Sequence, residues 1–340
     1  MSTGKIATGK DYNMRKLALF EQQLPMTPIE PMGIDCGGNL FWIKREDMLP
    51  FSFGGNKVRK AAEFYKEIME SDADVVMTYG SNSSNHCRIV ANMAAAMGLQ
   101  CHIISPQENR EVLFNTRMVE QLGATIETCP VSEVAHTIED RKARFRKNGK
   151  KTYFIAGGGH GNPGTQGYVN AYSEICEQEK ALGLQFDYIF HASGTGTTQA
   201  GLVCGQLIRK DFSRRIVGIS IAREKERGRE VVRESIRAYM GEDDTKCFQE
   251  DVLIFEDDFR CGGYGMYNDE ILEVIYKMML QEGIPMDTTY VGKAFWGMLR
   301  YIEHNHIFNK KILFVHTGGT PLFFDKVSLF DNYRKESNGI

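Results

Sequence analysis

Four stretches of this 340-residue chain carry side chains whose types and spacing could do chemistry together. The first is Gly54-Gly55-Asn56-Lys57, which opens a helical pattern. A lysine in a first helical turn sits at the positive end of the helix dipole, which disfavours the ammonium and leaves the amine closer to its nucleophilic form. Alone, this stretch reads equally well as a turn and a solvated basic helix start. The second is Tyr79-Gly80-Ser81-Asn82-Ser83-Ser84-Asn85-His86-Cys87-Arg88. A helix cap needs one hydroxyl or amide, and the Ser/Asn run from Ser81 to Asn85 exceeds that; free N–H groups at a helix start suit an anion. The third, Ser193-Gly194-Thr195-Gly196-Thr197-Thr198-Gln199, reads as a phosphate cradle, with glycines that let amides point inward and hydroxyls that add donors. It lacks the Gly-Lys-Ser/Thr of a nucleotide P-loop. Gln199 stands where a dinucleotide fingerprint would place its third glycine, and Arg223 follows the next strand where a ribose-binding acid would stand. The fourth is His316-Thr317-Gly318-Gly319-Thr320-Pro321, whose hydroxyls either face a ligand or cap a helix. Tyr264 and Tyr290 lie in glycine-bounded loops.

The elements that must position these groups alternate. Short apolar runs such as Val75–Thr78, Tyr188–Ala192, Ile216–Ile221, Val252–Phe255 and Ile312–His316 predict strands. Longer patterns such as Lys57–Glu70, Asn85–Met97, Arg110–Leu122, Thr197–Arg209 and Gly292–His304 predict helices. Nearly continuous hydrophobic strands separated by helices imply a doubly wound α/β fold with mostly parallel sheets covered on both faces. In such sheets ligands bind beyond the carboxyl ends of the strands, where all four stretches fall. There is no internal repeat and no Ser/Gly linker, so any domain division is expected to be discontinuous.

Composition narrows the function classes. With 42% hydrophobic and 25% charged residues, the chain has the apolar content of a globular protein rather than a disordered one. A formal charge of −3 provides no basic field for nucleic acid, and no apolar run approaches a membrane span. The N-terminal stretch lacks the apolar core of a signal peptide, and the eight scattered cysteines form no C-x-x-C, so a cytoplasmic protein with reduced thiols is expected. His304-x-His306 has no third ligand nearby, and no metal is expected.

These motifs occur in one order that resembles the D-cysteine desulfhydrase / 1-aminocyclopropane-1-carboxylate deaminase family of pyridoxal-phosphate enzymes, over roughly Leu17 to Phe324. The resemblance implies the tryptophan-synthase-β architecture known as fold type II. A large cofactor domain (1–57 and 165–340) would be interrupted by a smaller α/β domain (58–164). It implies pyridoxal 5'-phosphate attached covalently to Lys57, with its phosphate held by Ser193, Gly194, Thr195, Gly196, Thr197 and Thr198. Asn85 would meet its phenolic oxygen, Tyr290 its ring and Thr317 its pyridine nitrogen. Ser84, Asn85 and His86 would receive the substrate carboxylate, and Tyr264 would approach the substrate; Lys57, Ser84, Tyr264 and Tyr290 form the implied catalytic set. The partners implied are a small amino acid and a second copy of the chain in a homodimer.

The sequence departs from the cyclopropane-opening branch at two positions. That branch carries Glu after the tyrosine and Leu at the last motif, where this chain has Val291 and Thr317. A hydroxyl beside the pyridine nitrogen leaves it near neutral, which favours elimination of a good leaving group from Cβ over ring opening. The expected reaction is therefore α,β-elimination from a small amino acid, D-cysteine above all, releasing sulfide, ammonia and an α-keto acid. Ring-opening deamination, racemisation and β-replacement are alternatives on the same cofactor. A nicotinamide dehydrogenase or a non-catalytic binding protein is the alternative from another class.

Overall fold

The computed structural model describes residues 15–81, 84–107, 112–242, 253–331 and 333. Among the described residues ten strands form two sheets: β1 Ile29–Met32, β2 Leu40–Arg45, β3 Val75–Tyr79, β4 Gln100–Pro106, β5 Thr125–Cys129, β6 Thr152–Ile155, β7 Tyr188–Ser193, β8 Arg215–Ser220, β9 Leu253–Glu256 and β10 Lys311–His316. The larger sheet has the order β1-β2-β10-β7-β8-β9 and the smaller β5-β4-β3-β6. β1 runs antiparallel to β2, and the other pairings among these described strands are parallel.

Both faces of the larger sheet are buried, as the apolar runs predicted. Phe41, Phe190, Val217, Ile219 and Phe314 pack on one side with Ile275 and Met298, which belong to the helices Asp269–Glu282 and Val291–His304. The alternate residues Ile189, Ile216, Leu313 and Val315 pack on the other side with Tyr168, Val203 and Val232. These come from the helices Asn162–Leu182, Thr197–Arg209 and Lys225–Met240. The smaller sheet repeats the scheme. Val76 and Ile103 meet the helices Asn56–Ser71 and Asn85–Met97. On its other face, Val75, Met77 and Ile104 meet Val134, Ile138 and Phe145.

Several helices match the sequence pattern to the residue, among them Asn85–Met97 and Thr197–Arg209. The helix expected at Arg110–Leu122 begins at Phe114, while Arg110 and Glu111 lie outside the described residues. So do Asn82, Ser83, Cys247 and Val252. β1 was not anticipated because Pro31 removes a donor from the strand; as an antiparallel edge strand it tolerates the loss. No helix among the described residues is long and apolar enough to cross a membrane.

A buried ionic cluster secures the start of the helix Asn56–Ser71. Arg59 donates to Glu46 and, at 2.9 Å, to Glu174, while Lys44 Nζ donates to Glu174 at 2.6 Å. Burial alone would raise the Glu46 carboxyl, but the Arg59 guanidinium and Lys44 bring it down to about 2. The Glu46 carbonyl in turn accepts the Gly55 N–H at 2.8 Å. Arg59→Met removes the guanidinium shared by two buried carboxylates and leaves them Lys44 as their remaining cation. It is expected to cost about 3–5 kcal/mol, read from the urea midpoint at constant slope.

Candidate functional site

Seven strand ends, four from the larger sheet and three from the smaller, among them Pro106 of β4, open onto one cavity of about 560 Å³. The loop after β2 delivers Asn56 and Lys57, and the loop after β3 delivers Ser84, Asn85 and His86. Gly157, Gly158 and His160 follow β6; Gly194, Thr195, Gly196 and Thr198 follow β7. Arg223 follows β8, and Thr317 and Gly318 follow β10; Tyr264 and Tyr290 complete the wall. The four motifs thus share one site, placed where parallel sheets place ligands.

Close backbone approach holds the lysine loop in position. The Asn56 N–H donates to the Thr317 carbonyl at 3.0 Å, and a Cβ on Gly318 would lie 2.6 Å from the Gly55 Cα. Lys57, the second residue of its helix, is half-buried and donates to the Gly158 carbonyl at 3.1 Å. Burial lowers its amine to about 8. Lys60, one turn on and fully buried, donates to Thr197 Oγ1 at 2.5 Å. Burial and the neighbouring Lys57 push its amine well below the ordinary lysine value.

On one side of Lys57 lies the glycine cradle. Gly196 has φ +95° and precedes the helix Thr197–Arg209, which no side chain caps, so first-turn N–H groups remain for an anion. Gly194, Thr195, Gly196 and Thr198 face the cavity. Ser193 and Thr197 do not, in contrast to the sequence expectation. Ser193 donates to Gln199 at 3.2 Å, and Thr197 is occupied by Lys60. The two hydroxyls brace the cradle from behind.

On the other side is the helix Asn85–Met97. Ser84 Oγ caps it, accepting the His86 N–H at 3.0 Å and the Cys87 N–H at 3.4 Å, so its own hydroxyl proton is left to donate. Asn85 Oδ1 accepts from Arg88 Nη1 at 2.6 Å and from Asn115 Nδ2 at 2.9 Å, which leaves the Asn85 amide NH₂ as its donor end. Burial brings the Arg88 guanidinium down to about 10, and it places a positive charge behind this helix start. Thr78 spends its hydroxyl proton on the Ile155 carbonyl at 2.7 Å, so His86 Nε2, 2.8 Å away, must be the donor to Thr78. Burial, then Lys57 and Lys60, keep the His86 ring well below its ordinary range and neutral. His86 therefore brings no cation to a carboxylate, and its backbone N–H already serves the cap. Donors from Ser84 and Asn85, with Arg88 behind, are what this wall offers.

Tyr264 and Tyr290 share a hydrogen bond of 2.6 Å between their hydroxyls. Burial, then Tyr264, raises the Tyr290 phenol well above its ordinary value, so it remains protonated. Thr317 lines the cavity. Val291 does not: it is wholly buried in the apolar core, and its N–H donates to Asp287 at 3.0 Å. Sequence reasoning passed over Gly158, His160 and Arg223. The signal was present in Ala156-Gly157-Gly158-Gly159-His160-Gly161, another glycine-rich strand end.

These groups fit pyridoxal 5'-phosphate. An uncapped helix start in a glycine cradle suits its phosphate, and a half-buried amine lowered to about 8 suits its aldehyde. The comparisons agree. Residues 17–318 match the model of the pyridoxal-phosphate dependent enzymes. The chain is 31% identical to a D-cysteine desulfhydrase of Salmonella paratyphi A, over 88% of this chain and 93% of that one. It is 30% identical to a D-cysteine desulfhydrase of Serratia proteamaculans, over 88% and 92%. A crystallised ACC deaminase homologue superposes with a TM-score of 0.79 at 29% identity, covering 91% of this chain and 94% of its own. The chain belongs to the pyridoxal-phosphate-dependent enzyme family.

Proposed function

We propose that this enzyme eliminates a β-substituent from a small amino acid, with D-cysteine as the leading substrate and sulfide, ammonia and pyruvate as products. The observation that carries the reading is the Lys57 amine, lowered by burial and set between an anion cradle and a wall of donors. When bound, the cofactor supplies the electron sink that makes the α-proton acidic. Lys57 would hold it covalently and would take the substrate's α-proton at Nζ. Gly194 to Thr198 anchor the phosphate through the open helix start. Ser84 and Asn85 would orient the substrate carboxylate, and the Asn85 NH₂ would also serve the cofactor's phenolic oxygen. Tyr290 would pack on the ring, and Tyr264 would face the leaving group with a hydroxyl that can donate to a departing thiolate. The relatives named D-cysteine desulfhydrase supply the stereochemistry of the proposal.

The division into a large domain (1–57 and 165–340) and an inserted one (58–164) belongs to this reading, supported by a smaller sheet drawn wholly from Val75–Ile155. So does a homodimer, supported by the exposed apolar side chains Phe114, Phe324 and Val327 and testable by light scattering.

The test is release of keto acid, ammonia and sulfide from D- and L-cysteine, β-substituted alanines and 1-aminocyclopropane-1-carboxylate. Faster opening of the cyclopropane than elimination from every β-substituted substrate would overturn the proposal. Position 317 refines it. Glu at 291 would bury a carboxylate in the core, so Thr317→Leu alone is the informative change. It is expected to lower the ratio of elimination to ring opening about tenfold, the worth of one hydrogen bond in the transition state. An unchanged ratio would reduce Thr317 to packing.

A further inference from the structure

Lys293 is fully buried on the helix Val291–His304, directly after Tyr290, and makes no ion pair with a carboxylate of the described residues. Its ammonium donates instead to three backbone carbonyls: Gly263 at 2.6 Å, Arg260 at 3.0 Å and Ile221 at 3.3 Å. The three protons of the ammonium thus have three oxygens. Those oxygens come from two separate places. Ile221 directly follows β8 and lines the cavity. Arg260 and Gly263 belong to the turn that carries Tyr264, in which Cys261, Gly262 and Gly263 all take positive φ. Carbonyls gathered around a compact +1 charge are the coordination that backbone oxygens offer a dehydrated K⁺ or NH₄⁺.

We propose that Lys293 is a positioning residue acting as a built-in monovalent cation, its ammonium gathering the carbonyls of Ile221, Arg260 and Gly263 and so setting Tyr264 against Tyr290. This rests on the reading of Tyr264 as a substrate-facing group. Without the ammonium the three carbonyls face one another with no donor, and the turn opens away from the cavity. Truncation to alanine vacates the ammonium's place among those same oxygens together with the space of its methylene stem. The wild-type enzyme has no need of added cation; the truncated one acquires it.

The experiment uses the Lys293→Ala holoenzyme in KCl, NH₄Cl or choline chloride at equal ionic strength. In choline, kcat is expected to fall roughly 10- to 100-fold, the effect of a misplaced group near reacting atoms, with a smaller change in KM. K⁺ or NH₄⁺ should restore both Tm and kcat in a saturable way, while the wild type responds to none of the three salts. The Tm arm needs no substrate, so it stands whatever the product screen finds. A folded Lys293→Ala whose Tm and kcat are the same in K⁺, NH₄⁺ and choline overturns the proposal. A Tm that responds with a kcat at the wild-type level overturns the link to Tyr264. Should Lys293→Ala not fold, Lys293→Gln and Lys293→Met decide it. Gln keeps two N–H donors for the carbonyls and is expected to exceed Met in kcat by about tenfold, one hydrogen bond's worth; equal rates overturn the proposal.

Discussion

Lys57→Ala is expected to lower kcat by about 10⁴-fold or more, because one side chain holds the cofactor covalently and moves the α-proton. Borohydride reduction of the wild-type holoenzyme followed by peptide mapping should label Lys57. Lys60 is the instructive rival: its Nζ is 3.5 Å from the same Gly158 carbonyl that Lys57 contacts, yet it is pinned to Thr197 and shut away from solvent. A label on Lys60 or Lys293 would overturn the assignment. The pH dependence of cofactor capture by the apoprotein gives a second handle. Only the unprotonated amine attacks an aldehyde, and burial places the Lys57 amine at about 8. Capture should therefore accelerate as pH rises toward 8 and level off above it. An ordinary lysine, near 10.4, would keep accelerating through pH 10.

Gly196→Asp should yield a folded protein without colour. The added carboxylate meets the cofactor's phosphate at the open helix start, and like charges in contact cost several kcal/mol, equivalent to at least a hundredfold in Kd. The backbone contributes separately. At φ +95° any side chain is strained, by about 1–3 kcal/mol, and a Cβ would sit 3.2 Å from both Val231 Cγ1 and Val232 Cγ2. Gly196→Ala carries that strain without the charge. It is expected to lose Tm comparably while retaining much more cofactor, measured by visible absorbance per protein. Equal cofactor loss in the two variants would attribute the effect to strain, and full retention in Gly196→Asp would place the phosphate elsewhere.

Much of this enzyme is legible without coordinates because its signals are local. Runs such as Ile312–His316 and Tyr188–Ala192 announce parallel strands by burying both faces, and the glycine- and hydroxyl-rich segments that follow them mark the ligand side of a sheet. Lys57 at a helix start and the cradle before Thr197 are recognisable because turn chemistry and helix ends are encoded within a few residues. What only the tertiary structure decided is which partner each polar group takes, since those partners are distant in sequence. Lys57 meets Gly158 across 101 residues and Lys60 meets Thr197 across 137. The second pairing turns Thr197 away from the cavity although its motif points there. Thr78 settles the tautomer of His86 by spending its proton on Ile155, and burial then removes the charge a free histidine could carry. Val291, next to Tyr290 in the chain, belongs to the core because the first turn of a helix sends neighbouring side chains in different directions. A hydroxyl, an imidazole or an ammonium has several possible partners of similar strength, and the packing of distant segments chooses among them.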